Sequence, residues 1–259
     1  MMDALYIAAT GMHAEQAQLA TISNNLANMN TTAFKKSTVV FDDLMYRDSV
    51  TSSSSVDQMT NGVMVGMGSG VASINKDFSV GDLRATDNPL DIAIRGLGFI
   101  EVDLGNGEFG FTRSGAMKID SDGYLSTVSG ERLSGNIQIP QDASDIFIQA
   151  NGDVAVRING EDELLEVGRI ELVSFLSPTS LAPSGNNLYL STEETGAPIF
   201  SVPGEDGTGM LAQGFLEGSN VSLVEEMMSL VATQRAYESN SQVIRATDEM
   251  MRINNNLRS

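Results

Sequence analysis

Near the start of the chain, positions 5, 8, 12, 15, 19, 22, 26 and 29 fall in alternating steps of three and four. They hold Leu5, Ala8, Met12, Glu15, Leu19, Ile22, Leu26 and Met29, all apolar but Glu15. That rhythm predicts a helix lying along another helix. At the far end, Ser222 to about Asn256 contains no proline or glycine and repeats the pattern. Val221, Val224, Met228 and Val231 make one line; Val243, Ala246, Met250, Ile253 and Leu257 make a second. Between them, at Gln234, Arg235, Ala236, Tyr237 and Glu238, the line shifts and turns polar. A helix of about 35 residues runs ~52 Å at ~1.5 Å per residue. A rod that long needs a partner along its side. The two termini are therefore expected to pair, antiparallel or near-parallel.

Between the helices the period changes to two. "LDIAIRG" (90–96), "FIEVDL" (99–104), "DIFIQA" (145–150), "DVAVRI" (153–158) and "NNLYLS" (186–191) alternate or run apolar as strands do. Asn106-Gly107, Asp122-Gly123, Asn151-Gly152 and Asn159-Gly160 mark tight turns between such runs, since these pairs tolerate positive φ. The predicted class is α+β. Long N- and C-terminal helices pair as a coiled coil around an antiparallel β-rich centre. The helical part takes 1–46 and 217–259, and the β-rich part 71–216. Residues 47–70, rich in Ser, Thr, Met and Gly, have no lasting period and read as an extended loop. Met59, Val63, Met64, Val65 and Met67 make it too apolar for a plain tether, so it is expected to order against a partner, with Ser49, Met59, Val63, Met64 and Met67 as the bracing residues.

Charge sharpens this division. The 259 residues carry a formal charge of −19, and residues 47–216 hold 24 acids against nine bases, whereas each end is only −2. An acidic centre argues against nucleic acid, which needs a basic footprint. No apolar run approaches the ~20 residues of a membrane span, so no membrane insertion is expected. No basic segment precedes the first apolar residues, as a secretory signal would have it.

Candidate chemistry is sparse. The chain has no cysteine and one histidine, His13, which removes most metal, general-base and nucleophile arrangements. Asp120-Ser-Asp122-Gly123 lacks the later carboxylate of a calcium loop and reads as a hairpin turn. Gly96-Leu97-Gly98 lacks the third glycine and following helix of a dinucleotide fingerprint and reads as a sharp reversal. Gly66-Met67-Gly68-Ser69-Gly70 lacks the lysine of a phosphate loop. No catalytic, cofactor or metal residue is predicted.

"SNNLANMNTTAFK" (23–35) puts Asn24, Asn25, Asn28 and Asn30 into seven positions at the end of the first helix. Capping explains Asn28 and Asn30, but not Asn24 and Asn25 inside the helix. A buried asparagine costs stability and fixes register between helices. The stretch resembles the N-terminal signature of the bacterial flagellar rod and hook family. "EGSNVSLVEEMMSLVATQRAYESNSQVIRATDEMM" (217–251) is similar to that family's closing helix. "DIAIRGLGFIEV" (91–102) and "FTRSGAMKIDSDGYL" (111–125) resemble two of its internal blocks. "FDDLMYR" (41–47) with the loop after it looks most like the distal rod members. Ala33 stands where the family has glycine, Ser222 where Asp or Asn is common, and Met117 where Phe is usual. Positive φ at Ala33 would strain the backbone.

The resemblance implies a structural, non-enzymatic subunit of the flagellar distal rod, forming a rigid torque-bearing tube without cofactors. It implies partners in further copies of the chain, proximal rod and hook proteins, surrounding rings and the type III export apparatus. It also implies a basal body spanning the periplasm and export without a cleaved signal. A proximal rod or short hook-like role, or a cell-wall hydrolase, are the alternatives. The expected self-assembly residues are Leu5, Met12, Leu19, Ile22, Asn24, Asn25, Leu26, Asn28, Met29 and Phe34. On the other end they are Asn220, Val221, Val224, Met228, Val231, Gln234, Arg235, Tyr237, Val243, Met250, Ile253 and Leu257.

Overall fold

A computed structural model describes residues 2–44, 46–49, 63–105, 107–158 and 163–256. The chain divides into two compact units. One holds residues 1–27, 37–75 and 222–259; the other holds 28–36 and 76–221. The chain thus passes between the units four times.

The first unit contains helix α1 (Met2–Ala27) and helix α2 (Leu223–Asn256). They run antiparallel, since partners climb α1 as they descend α2. Glu15 Oε1 accepts Asn240 Nδ2 at 3.1 Å, Gln16 Nε2 donates to Tyr237 Oη at 3.4 Å, and Asn25 Nδ2 donates to Glu226 Oε2 at 3.3 Å. Gly11 permits the approach: a β-carbon there would sit 3.1 Å from the Asn240 amide nitrogen. The rest of this unit is a two-stranded ribbon. Strand Ser37–Asp43 pairs with Ser69–Lys76, and Tyr46–Ser49 pairs antiparallel with Val63–Gly66 in the register Tyr46↔Gly66 to Ser49↔Val63. The arms of the expected loop are therefore strands, which carries Ser49, Val63 and Met64 into a backbone ladder; Met59 lies outside the described residues.

The second unit is antiparallel β. Its main sheet runs in the order Ala182–Gly185, Leu188–Leu190, Phe109–Thr112, Phe99–Asp103, Arg132–Leu133, Leu125–Thr127, Met117–Ile119, and Leu172–Ser174 bridges Phe99–Asp103 to Ile199–Ser201. A three-stranded sheet joins Ala143–Ile148, Asp153–Ile158 and Leu164–Arg169. Two cores result. Ile92, Ile94, Ile100, Leu125, Val154, Val156 and Leu172 anchor the larger. Phe78, Phe99, Phe111 and Tyr189 form the smaller, with edge-to-face rings such as Phe78–Phe99 at 5.1 Å between centroids. Burial there pushes the Tyr189 phenol up to about 12. The Asp120–Gly123 segment is a hairpin turn whose carboxylates are taken by Arg132, at 2.9 Å from Asp120 Oδ2 and also against Asp122. Gly107, Gly123 and Gly152 take positive φ at 77°, 85° and 89° as the turn pairs require; Asn106 and Asn159-Gly160 lie outside the described residues.

Candidate self-assembly interface

The period of α2 carries two stripes, and they part company in the structure. Glu226, Leu230, Thr233, Tyr237, Asn240, Ile244, Thr247 and Met251 are buried or half-buried, in alternating steps of four and three. Three of them carry the hydrogen bonds to α1 just described. This is the stripe that meets α1, and half of it is polar. Its buried threonines satisfy their hydroxyls on their own helix. Thr233 Oγ1 donates to Ser229 O and Thr247 Oγ1 to Val243 O, each at 2.8 Å.

The apolar line expected to meet α1 points elsewhere. Val224, Met228, Val231, Val243, Met250 and Ile253 are 66%, 62%, 45%, 45%, 53% and 55% exposed. Val224, Met227, Met228, Val231, Ala232 and Arg235 line an open hollow of about 520 Å³. Periodicity identified the apolar stripe, and its exposure means that the pairing of α1 with α2 does not use it; these are the α2 residues expected to face other copies. The polar stripe had no hydrophobic signal by which to be found. Gln234 and Arg235 are exposed on this helix as well, Val221 is half-buried, and Leu257 lies outside the described residues.

On α1, Leu5, Met12, Leu19 and Leu26 are half-buried, and Ile22 is buried. Asn25 needs correction as a contact to other subunits. It is 2% exposed and spent inside its own chain. Its Oδ1 accepts Ser37 N and its Nδ2 donates to Ser37 O, both at 2.9 Å, besides the bond to Glu226. The amide thus pairs with one residue of the ribbon as a neighbouring strand would. Asn24 lines a hollow with Ala17, Ala20, Thr21, Ser37 and Ile74.

Beyond α1 the chain enters the β unit, and Asn28–Lys36 is gripped there. Asn28 closes a turn, accepting Thr31 N at its carbonyl (3.1 Å) and Thr31 Oγ1 at its side chain (3.2 Å). Ala33 takes φ +57° while 1% exposed, and its N–H donates to Glu217 O at 2.8 Å. The strain expected at this alanine is present, bound in place by that hydrogen bond. Phe34, like Asn25, is an internal anchor: it is 8% exposed, with Lys76 Nζ 4.5 Å above its ring. Met29 lines a separate hollow with Arg84 and Leu216.

The grip centres on three charged side chains hidden from solvent. Lys35 Nζ lies 2.6 Å from Glu217 Oε1, and Arg113 Nε lies 2.9 Å from Glu217 Oε2, at side-chain exposures of 0%, 0% and 1% for Lys35, Glu217 and Arg113. Gly81 N completes the carboxylate at 2.9 Å, and Ser79 O takes a second ammonium proton at 2.6 Å. Gly96 and Gly98, at φ +132° and +128°, curl the loop so that their carbonyls accept Arg113 at 2.8 and 2.9 Å. The Gly-Leu-Gly reversal is therefore also an arginine cradle. Burial alone would raise the Glu217 carboxyl, but Arg113, Lys35 and the Gly81 N–H outweigh it and hold it below its ordinary value. Asn220 adds to the grip: it accepts Lys36 N at 2.7 Å and donates to Asp77 O at 2.8 Å. Asn220 is thus another expected contact residue spent within its own chain. Lys35, Arg113 and Glu217 escaped notice because isolated charges in strand-like runs look like solvated ones.

Among the described residues no group of three or more His, Asp or Glu could hold a metal ion, and no helix is long and apolar enough to cross a membrane.

Three family models match the chain. Residues 5–35 match the flagella basal body rod protein model, 93–156 the flagellar hook protein FlgE/F/G D1 domain, and 212–257 the flagellar basal body rod FlgEFG protein C-terminal model. The chain is 41% identical over 262 residues to the flagellar basal-body rod protein FlgG of Caulobacter vibrioides, covering 100% of both. It is 40% identical over 254 residues to that of Buchnera aphidicola from Schizaphis graminum, covering 97% of this chain and 98% of the relative. To the basal-body rod protein FlgF of Caulobacter vibrioides it is 31% identical over 256 residues, covering 97% and 96%.

Proposed function

The chain belongs to the flagellar basal-body rod protein family, a structural and non-enzymatic family of the motility apparatus, and from that premise we propose how it works as a distal-rod subunit. Within one organism its identity is higher to the FlgG protein than to the FlgF protein, at 41% against 31%, which favours the distal over the proximal role.

The observation that carries the mechanism is the uncovered apolar line of α2. Six large apolar side chains on one helix, each about half exposed, are costly to leave in water. Copies of the chain cover one another's lines by packing terminal helices into supercoiled seams around a central channel. The helical seams use Leu5, Met12, Leu19 and Leu26 on α1 and Val243, Met250 and Ile253 on α2, while Val224, Met228 and Val231 form a hollow that a neighbouring copy also covers. Contacts between unlike surfaces do not close on themselves, so they build a helical filament. The helices α1 and α2 line the inside of that filament and the β unit is its outer part, whose acids keep it from adhering to surrounding rings. The ribbon and the segment between its arms, 47–70, brace neighbouring subunits and supply stiffness. Proximal rod and hook proteins continue the filament at its two ends. The subunit reaches its place across the periplasm through the flagellar export apparatus.

Electron microscopy of the purified chain after concentration tests this reading. Straight tubes are the expected result. Monomer at every concentration would overturn self-assembly, and curved, flexible tubes would favour a hook-like role. Deleting 50–62 should turn straight tubes into flexible ones; rigid tubes from that variant would remove the bracing role.

A further inference from the structure

The helical unit exposes a second apolar patch besides the α2 line, on its strand Ser37–Asp43. In strand Ser37–Asp43 exposure increases toward the far end, where Val40 and Phe41 are 41% and 40% exposed and are followed directly by exposed Asp42 and Asp43. Neither acid is in an ion pair among the described residues. The α2 hollow has the opposite design. Val224, Met227, Met228 and Val231 form an apolar floor, and Arg235, one turn beyond Val231, is exposed and forms no ion pair among the described residues. α1 carries no lysine or arginine, so in the described helices only α2 offers a cation beside an apolar face.

Resting on the self-assembly reading above, we propose that the hollow on α2 receives Phe41 of a second copy, with Asp43 of that copy, two positions on and so on the same face of the strand, meeting Arg235. Three features argue for this occupant. The patches match in chemistry: an aromatic ring suits a floor of two methionines and two valines, because thioethers are polarizable and adapt to a ring. They match in charge, with the Asp43 carboxylate on the Phe41 face set against a guanidinium that can take it bidentately. They are also unlike each other and sit on different elements of one unit. Each copy therefore gives Phe41 to one neighbour and receives it from another, which propagates rather than closes. A self-complementary patch would stop at a dimer.

The chain's lack of cysteine makes the test direct. Full-length Phe41→Cys and Met228→Cys proteins, distinguishable by an affinity tag on one, are mixed, concentrated and mildly oxidised. The expected product is the mixed disulfide joining position 41 of one copy to position 228 of the other. Its yield should be at least tenfold above that from Leu176→Cys with Met228→Cys; Leu176 is 90% exposed but belongs to the β unit. Tubes that form with no excess of the mixed disulfide overturn this contact and leave self-assembly standing. Failure of the wild-type chain to form any polymer overturns both. In parallel, Arg235→Glu is expected to lower polymer yield more than tenfold, and Asp43→Arg in the same chain to restore it. Wild-type yield from Arg235→Glu alone overturns the charge pairing. Circular dichroism of each variant confirms that it is folded.

Discussion

In the β unit, a lysine, an arginine and a glutamate are sealed from water; in the helical unit, valines and methionines stand in it. Each arrangement inverts the usual rule, and for opposite reasons. Lys35, Arg113 and Glu217 can be buried because almost every donor and acceptor they carry has a partner in their own unit. Val224, Met228 and Val231 stay exposed because nothing in their own unit reaches them. A unit whose hardest groups are all satisfied is complete as a monomer. One that spends its polar residues on internal pairing and keeps its apolar ones outside is made to be finished by others.

That contrast can be broken at its strongest point first. Glu217→Ala strands two buried cations and is expected to cost about 3–5 kcal/mol, read as a fall in the urea midpoint of the full chain. The same carboxylate supplies a pH dependence. Its folded value lies below the ordinary 4.5, so its contribution is complete above that value and is lost as pH falls through the lower folded value. Stability measured from pH 7 down to pH 3 should decline, and Glu217→Gln should flatten that part of the decline. Asn25→Ala leaves both backbone groups of Ser37 unmatched and is expected to cost about 1–3 kcal/mol; hydrogen exchange at the Ser37 amide should accelerate with it. Ala33→Gly relieves a left-handed alanine, for a gain of up to about 1 kcal/mol, visible as a small rise in melting temperature. The smallest effect on stability is the sharpest test. Met228→Ser should leave the monomer within about 0.5 kcal/mol of wild type and yet suppress tube formation. A large loss of monomer stability would show that the α2 line is covered within the chain after all.

The helices and the antiparallel β class were legible in the sequence because burial imposes a period, and a period survives in one dimension. Which neighbour covers a stripe does not survive: Val224, Met228 and Val231 repeat in the same way whether they face α1 or another copy. The polar stripe from Glu226 to Met251 was invisible for the converse reason, since threonine and asparagine in a seam look like a solvated face. The strands Tyr46–Ser49 and Val63–Gly66 pair only with each other, and their sequence shows no lasting alternation to announce them. Ala33 was singled out only against the family pattern, and its positive φ followed from what glycine there permits.

Lys35 and Glu217 stand 182 positions apart, and this distance has a kinetic side. Bringing them together closes a loop that spans most of the chain, a step whose entropic cost falls before any contact rewards it. Lys36 and Asn220 meet at the same place, directly before the ribbon and just ahead of α2. α1 can dock on the ribbon through Asn25 and Ser37 early, but it has no helical partner until residues beyond 223 are present. The pairing of the helices is expected to be the last event of folding, and in stopped-flow refolding the α1–α2 signal should lag behind burial of the Phe99–Tyr189 aromatic cluster.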